Sequence, residues 1–396
     1  MTIEDLGPQG VIEGHVAPGF ERVADAFIAN FRQRGEVGAA VAVHLDGEPV
    51  VDLWGGLADP EAGRAWVSDT PGVVHSCTKG IVAICAWMLA QSGELDMDAP
   101  VARYWPEFAA AGKSAVTVRM LLTHRAGLPI FDPVLSRAEV LAWEPVVAAL
   151  AAQRPYWEPG TDHSYHAITY GWLVGEVIRR VSGLTPGGVV RERLAGPLGL
   201  RTWIGVPPEV ISQVAPLRYP LPPADPEAAA LEALAVPAIA DRIASVNGAL
   251  PLPGEPGTMT YNDPAVLAAE VPGANGVTDA RSLSRLYAAC VSPILGAPLL
   301  SDATIDAAVI VRTSGRMRFS GPDAGHRWGT GFMLDSPPIR RMLGPRSFGH
   351  DGAGGTLGFG DADRRVGFGY GHNQMGGSPE RRAAELVEAL RTCLGA

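Results

Sequence analysis

Three short segments gather residue types able to do acyl-transfer chemistry. In Ser76-Cys77-Thr78-Lys79 a serine and a lysine stand three apart, a spacing that puts both on one face of a helix. If Ser76 opens that helix, the unbonded amides of the first turn can hold a developing oxyanion. The positive end of the helix dipole also disfavours a protonated lysine there. Lys79 could then take the Ser76 proton and turn the serine into a nucleophile at neutral pH. A capping serine followed by an ordinary lysine would leave the same four letters. Two observations weigh against that plainer reading. The helix that follows is so apolar that a lysine has little reason to be in it. Only two of the 32 basic residues are lysines, Lys79 and Lys113, so arginine already fills most surface roles.

The second segment runs Trp157-Glu158-Pro159-Gly160-Thr161-Asp162-His163-Ser164-Tyr165-His166-Ala167. Its Pro-Gly turn leads through polar residues into an apolar helix. Tyr165 could give a phenolic O–H to a nucleophile or a leaving group, or serve as a core tyrosine. His163 and His166 stand three apart, but no third ligand lies nearby, so no metal site is expected. The third segment is Ser347-Phe348-Gly349-His350-Asp351-Gly352-Ala353-Gly354-Gly355. A glycine-rich strand edge lets a ligand come close to backbone, and His350 adds a titratable donor. No Lys-Ser/Thr follows and a strand comes next, so a phosphate loop is not supported.

These segments need elements to position them. Phe20, Val23, Phe27 and Phe31 recur at helical spacing within 17–34. Apolar runs at 37–45 and 49–54 flank Asp46-Gly47, a hairpin signal. Residues 76–92 read as a buried helix ending at Gly93, and 117–126, 168–182 and 278–290 as further helices. The stretch from about 205 to 275 is proline-rich, with helical Ala/Leu segments near 226–245. Residues 326–334, 357–361 and 365–371 read as strands, and 378–394 as a closing helix. Strands at both ends and helices between predict one antiparallel sheet built from both termini, covered by helices, with a helical lobe inserted.

Composition narrows the function classes. The chain has 396 residues, 47% of them hydrophobic, and a formal net charge of -10. That acidity argues against nucleic acid or an anionic membrane as the main partner. Four cysteines without a C-x-x-C pair give neither a disulfide framework nor a zinc site. No basic-then-apolar leader and no run of 18 apolar residues are present, so a soluble cytoplasmic protein without cofactor is expected. The oligomeric state is left open.

The order and spacing of the three segments resemble the serine β-lactamase/penicillin-binding-protein superfamily, and within it the family VIII carboxylesterases. The resemblance spans nearly the whole chain. It includes Leu121-Leu122-Thr123-His124-Arg125-Ala126-Gly127-Leu128, Tyr170-Gly171-Trp172-Leu173-Val174-Gly175-Glu176, Asn275-Gly276 and Phe368-Gly369-Tyr370 with Asn373. It implies an α+β, β-lactamase/transpeptidase-like fold, with a sheet domain from 1–90 and 275–396 and a mainly helical domain from 91–274. It implies that Ser76 is acylated, that Lys79 is its base partner and that Tyr165 is the catalytic tyrosine. His350-Asp351-Gly352 stands where β-lactamases have Lys-Thr-Gly. The amides of Ser76 and Ala353 would form the oxyanion hole, with His350 and Gly352 beside the substrate. His124 and Asn275 read as structural. Two departures favour an ester over a β-lactam: Ala167 replaces an amide-binding asparagine, and His350 replaces a permanent cation. The expected activity is hydrolysis of small-molecule carboxylic esters. Acyl transfer to an amine or alcohol is the alternative, with β-lactamase, peptidase or a non-catalytic role further off.

Overall fold

In the computed structural model, residues 2–219, 238–252, 260–376 and 380–395 are described. The helical segment expected near 226–245 therefore lies partly outside them, and its described end forms the helix Ala238–Ser245. Strands β1 (Thr2–Asp5), β2 (Val11–Val16), β3 (Gly38–Leu45) and β4 (Glu48–Asp59) come from the start of the chain. Strands β5 (Thr313–Ser314), β6 (Arg327–Trp328), β7 (Met333–Leu334), β8 (Ser347–Asp351), β9 (Leu357–Asp361) and β10 (Val366–His372) come from its end. They join in one sheet of order β1-β2-β4-β3-β10-β9-β8-β7-β6-β5, with the short strand Arg64–Ala65 added beside β4. The two halves of the sequence meet where β3 pairs antiparallel with β10, Val43 opposite Phe368. The hairpin between β3 and β4 turns at Asp46 and Gly47, both at positive φ, as its Asp-Gly pair requires.

The two faces of β3 explain the layering. Val41 and Val43 join a core with Phe27 and Phe31 of α1 (Glu21–Gln33) and with Leu386 and Leu390 of the closing helix. Ala40 and Ala42, on the other face, pack with Ala280. Alternation along the strand thus serves two helical layers. The second layer holds α2 (Cys77–Gln91) and, after α3 (Thr169–Ser182) in the chain, α4 (Ala280–Val291). The last helix, α5 (Arg382–Cys393), belongs to the first layer. Helix α4 lies so close to the sheet that a Cβ on Gly367 would stand 2.3 Å from Ser284 O, and one on Gly369 2.4 Å from Ala280 O. Glycine at those positions is a packing requirement.

Three expectations change in detail. The strand read over 326–334 is two short strands, because Gly331 takes φ +88° between them. The helix read over 117–126 ends at Leu122, since His124 sits at φ +60°. The glycine-rich segment is no sheet edge: β8 is paired on both sides, to β7 and to β9. Buried α2 shares one hydrophobic core with Tyr170 and Trp172 of α3 and with Leu283 and Leu286 of α4.

Candidate active site

Helix α2 starts where the sequence places its nucleophile. His75 takes φ +44°, a left-handed conformation that L side chains rarely adopt and that concentrates at functional sites. Ser76 then occupies the N-cap position. The next three amides close early turns, with Cys77 N donating to Val74 O, Thr78 N to His75 O and Lys79 N to Ser76 O. Among the described residues the Ser76 amide donates to no acceptor in the chain, and neither does the amide of Ala353. Both residues line one cavity of about 560 Å³. Two amides without acceptors, on residues that line one cavity, are available to an oxyanion there.

Lys79 is 0% exposed. Its Nζ lies 2.9 Å from Ser76 Oγ and donates to Gly273 O at 2.5 Å. Burial holds the ammonium well below its ordinary range, because the charged form has lost its water. A neutral amine has two N–H groups and one lone pair. Gly273 O takes one N–H, which leaves the lone pair free to accept the Ser76 hydroxyl proton. The acceptor is held in turn by Asn275, whose side-chain amide donates to Val266 O and Ala269 O and accepts from Val271 N. Asn275 is thus structural, as expected.

The Tyr165 ring sits 4.9 Å from Lys79 Nζ. Its hydroxyl is buried and has no hydrogen-bond partner among the described residues. Burial raises the phenol above its ordinary range, although the nearby Ser76 hydroxyl and Arg340 favour the phenolate. Tyr165 is therefore a neutral O–H donor near the lysine. Its ring packs against His124 at 4.9 Å, His350 at 6.1 Å and Trp328 at 6.5 Å. His124 also accepts the His166 amide through Nδ1, so it braces the tyrosine loop.

His350 and Gly352 fall elsewhere. The His350 ring is 1% exposed and does not line the cavity. Its Nδ1 contacts Asp351 O at 2.6 Å, and Nε2 is buried without a partner among the described residues. Burial, then Lys79 and Arg340, hold it well below the ordinary histidine range. The imidazole is neutral and packs behind Tyr165, so a titrating imidazolium in contact with substrate does not fit its surroundings. Gly352 faces a neighbouring cavity of about 620 Å³ on the other side of the Gly352–Gly355 turn, with Arg340, Asp351 and residues of α5. Ala353 alone of the three reaches the Ser76 cavity.

The sequence reading missed Arg340. Its guanidinium pairs with the Asp351 carboxylate, and Nη1 lies 3.3 Å from His326 Nδ1. A fixed cation thus stands near position 350 although the histidine is neutral. Nothing in the local sequence, Pro337-Pro338-Ile339-Arg340, marks it out. The cavity wall itself is apolar: Ala167, Ile168, Ile243, Ala274, Met317 and Phe319 line it with hydroxyls from Ser164, Ser320 and Tyr165, and no Asp, Glu, Lys or Arg is among its described lining residues.

Comparison with known proteins agrees with this arrangement. The family described as Beta-lactamase matches residues 21–392. The chain is 34% identical over 368 residues to the esterase/beta-lactamase LipL of Mycobacterium tuberculosis, covering 91% of this chain and 83% of that protein. A crystal structure of a family VIII carboxylesterase superposes with a TM-score of 0.84 at 37% identity, covering 96% of this chain and 99% of the other. A penicillin-binding protein homologue from Caulobacter crescentus superposes with a TM-score of 0.84 at 34% identity, covering 96% and 99%. With a sheet built from both termini, a serine–lysine pair at the head of a buried helix and a match over nearly its full length, the chain belongs to the β-lactamase family.

Proposed function

We propose that this protein is a serine carboxylesterase that acts on small, uncharged carboxylic esters through an acyl-Ser76 intermediate. One observation carries the reading: Lys79 Nζ lies 2.9 Å from Ser76 Oγ at a cavity whose described lining holds no charged side chain. The lysine's lowered pKa makes it a base, and the apolar wall suits a neutral acyl group. In acylation the Ser76 proton passes to Lys79 Nζ as Oγ bonds the ester carbon. The carbonyl oxygen becomes an oxyanion held by the Ser76 and Ala353 amides. The C–O bond to the alcohol then breaks, and the leaving oxygen takes the proton back from Lys79 through the Tyr165 hydroxyl. Water repeats the sequence on acyl-Ser76 and releases the acid. Ala167 on the cavity wall offers no hydrogen bond to a lactam amide, which supports ester over β-lactam. The same apolar wall admits an alcohol acceptor, so acyl transfer is the second outcome open to the intermediate.

The test compares an aryl ester of a neutral acid with the same ester of a dicarboxylic half-acid. The neutral ester should have kcat/KM at least about tenfold higher, the low end of what a poorly accommodated charge costs. Equal values, or a chromogenic cephalosporin turned over faster than either, would refute this substrate class.

A further inference from the structure

The turn that carries Ala353 is held from outside the cavity. Arg382, at the start of α5, is 3% exposed. Its Nη2 donates to Gly354 O and to Gln374 O, both at 2.9 Å, and to Glu380 Oε2 at 2.8 Å. Its Nη1 donates to Glu36 Oε1 at 2.8 Å and its Nε to Glu380 Oε1 at 3.0 Å. Gly354 directly follows Ala353. It takes φ +84°, and Gly355 takes φ +116°. Glycine leaves such conformations almost as readily as it enters them, so the turn has little stiffness of its own.

The rest of the turn is anchored at its base. Gly352 N donates to Thr356 O at 2.8 Å, and Thr356 Oγ1 donates to Val74 O at 3.1 Å, two residues before Ser76. Asp351 is paired with Arg340. These bonds tie the base of the turn to the segment that leads into Ser76. Within the tip, Ala353–Gly355, Gly355 N donates to Gly352 O at 3.1 Å, and the bonds from outside the turn fall on Gly354 O, from Arg382 at 2.9 Å and from Gly376 N at 3.0 Å. The Ala353 amide has no acceptor in the described chain that would aim it.

We infer that Arg382 is a positioning residue for the reaction: by holding Gly354 O it aims the Ala353 amide at the carbonyl oxygen of the substrate. The inference rests on the reading of that amide as an oxyanion donor. A planar guanidinium suits the task because its fixed fork reaches two backbone carbonyls and two carboxylates at once, which an ammonium does not. Glu36 fixes the far side of the fork. It is wholly buried and also accepts the Tyr370 hydroxyl. The plain alternative is that Arg382 only staples α5 to the Glu36 segment at the end of α1.

The experiment uses full-length enzyme and two readouts. The first is steady-state kinetics with a neutral aryl ester. The second is Ki for an alkylboronic acid, whose tetrahedral adduct on Ser76 places an oxygen where the oxyanion forms. Loss of a whole oxyanion donor lowers kcat by about 10²–10³. A misaimed donor in Arg382→Gln should lower kcat roughly 10–10²-fold with KM within about threefold, and raise the boronate Ki by a similar factor. Arg382→Lys should stay impaired, because it keeps the charge and loses the fork. A variant with lowered melting temperature but wild-type kcat and boronate Ki would overturn the inference in favour of the staple. Should Arg382→Gln fail to fold, Glu36→Gln must lower kcat and raise Ki together, and an unchanged pair overturns the inference as well. If the wild-type enzyme forms no boronate adduct at Ser76, the underlying reading of the site fails instead.

Discussion

Replacing Lys79 with methionine separates catalysis from stability. Methionine fills much of the lysine volume but has no lone pair for the Ser76 proton. General-base catalysis contributes about 10²–10⁴ in rate, so the barrier should rise by about 3–5 kcal/mol. The stability cost is smaller. Gly273 O loses the Nζ–H donor held at 2.5 Å, and a stranded buried carbonyl costs about 1–3 kcal/mol. An opposing term comes from the same burial that lowers the lysine pKa. The folded state binds fewer protons here than the unfolded chain, so wild-type stability from this group grows as pH rises toward the ordinary lysine range and shrinks as pH falls. The methionine variant lacks that dependence, and its stability relative to wild type should improve as pH falls. Catalysis has the matching sign: the wild-type rate should drop on the acid side, where the depressed lysine becomes protonated. The assays are stopped-flow hydrolysis of an aryl ester and thermal unfolding at several pH values. Lys79→Met should lose the acylation burst with a change in melting temperature of a few degrees at most. A variant that kept more than about one tenth of kcat would refute the assignment of Lys79 as base.

Other perturbations follow from the same geometry. Tyr165→Phe removes the unpartnered hydroxyl and should lower kcat by roughly 10²–10⁴, most steeply for esters with poor alcohol leaving groups, as a series of aryl and alkyl esters would show. His350→Gln should leave the pH profile of kcat/KM with a neutral ester unchanged between about pH 6 and 7. The imidazole is neutral across that range, so an inflection lost in the variant would contradict its placement. Gly349→Ala would bring a Cβ to 2.2 Å from Gly358 O and 2.4 Å from Phe359 Cβ in the middle of β8. Overpacking there should lower stability by about 1–3 kcal/mol, read as a lower urea midpoint at unchanged slope.

The parts of this molecule that are legible in its sequence are those set by local periodicity and by short motifs. The phenylalanines of α1, the Asp-Gly hairpin and the apolar run of α2 each declare themselves within about 15 residues. Strands at both ends of the chain predict one antiparallel sheet built from both termini, without saying which strands pair; the structure joins the two ends at β3 and β10. Strands β1 and β2 escaped, because Thr2–Asp5 and Val11–Val16 mix polar and apolar residues at a sheet edge, where β2 pairs with β4 and β1 only with β2. Ser76, Lys79 and Tyr165 are legible as residue types, and the structure brings them together: Ser76 and Tyr165 line one cavity, and Lys79 lies buried behind them, 2.9 Å from Ser76 Oγ. What sequence does not carry is their surroundings. Gly273 O meets Lys79 and Arg382 meets Glu36 across long sequence separations, Arg340 reaches Asp351 from another strand connection, and only the fold shows that His350 is enclosed. Its position was readable in the motif. Its protonation depends on burial and on the charges of Lys79 and Arg340.

The most direct test of the account is to catch the acyl group. The enzyme is mixed with a slowly hydrolysed aryl ester, quenched in acid within the first turnovers, and analysed intact and after proteolysis by mass spectrometry. One acyl group per chain should appear, on the peptide that contains Ser76, and it should be absent from Ser76→Ala. An acyl group on any other residue, or ester turnover undiminished in Ser76→Ala, would contradict the central claim.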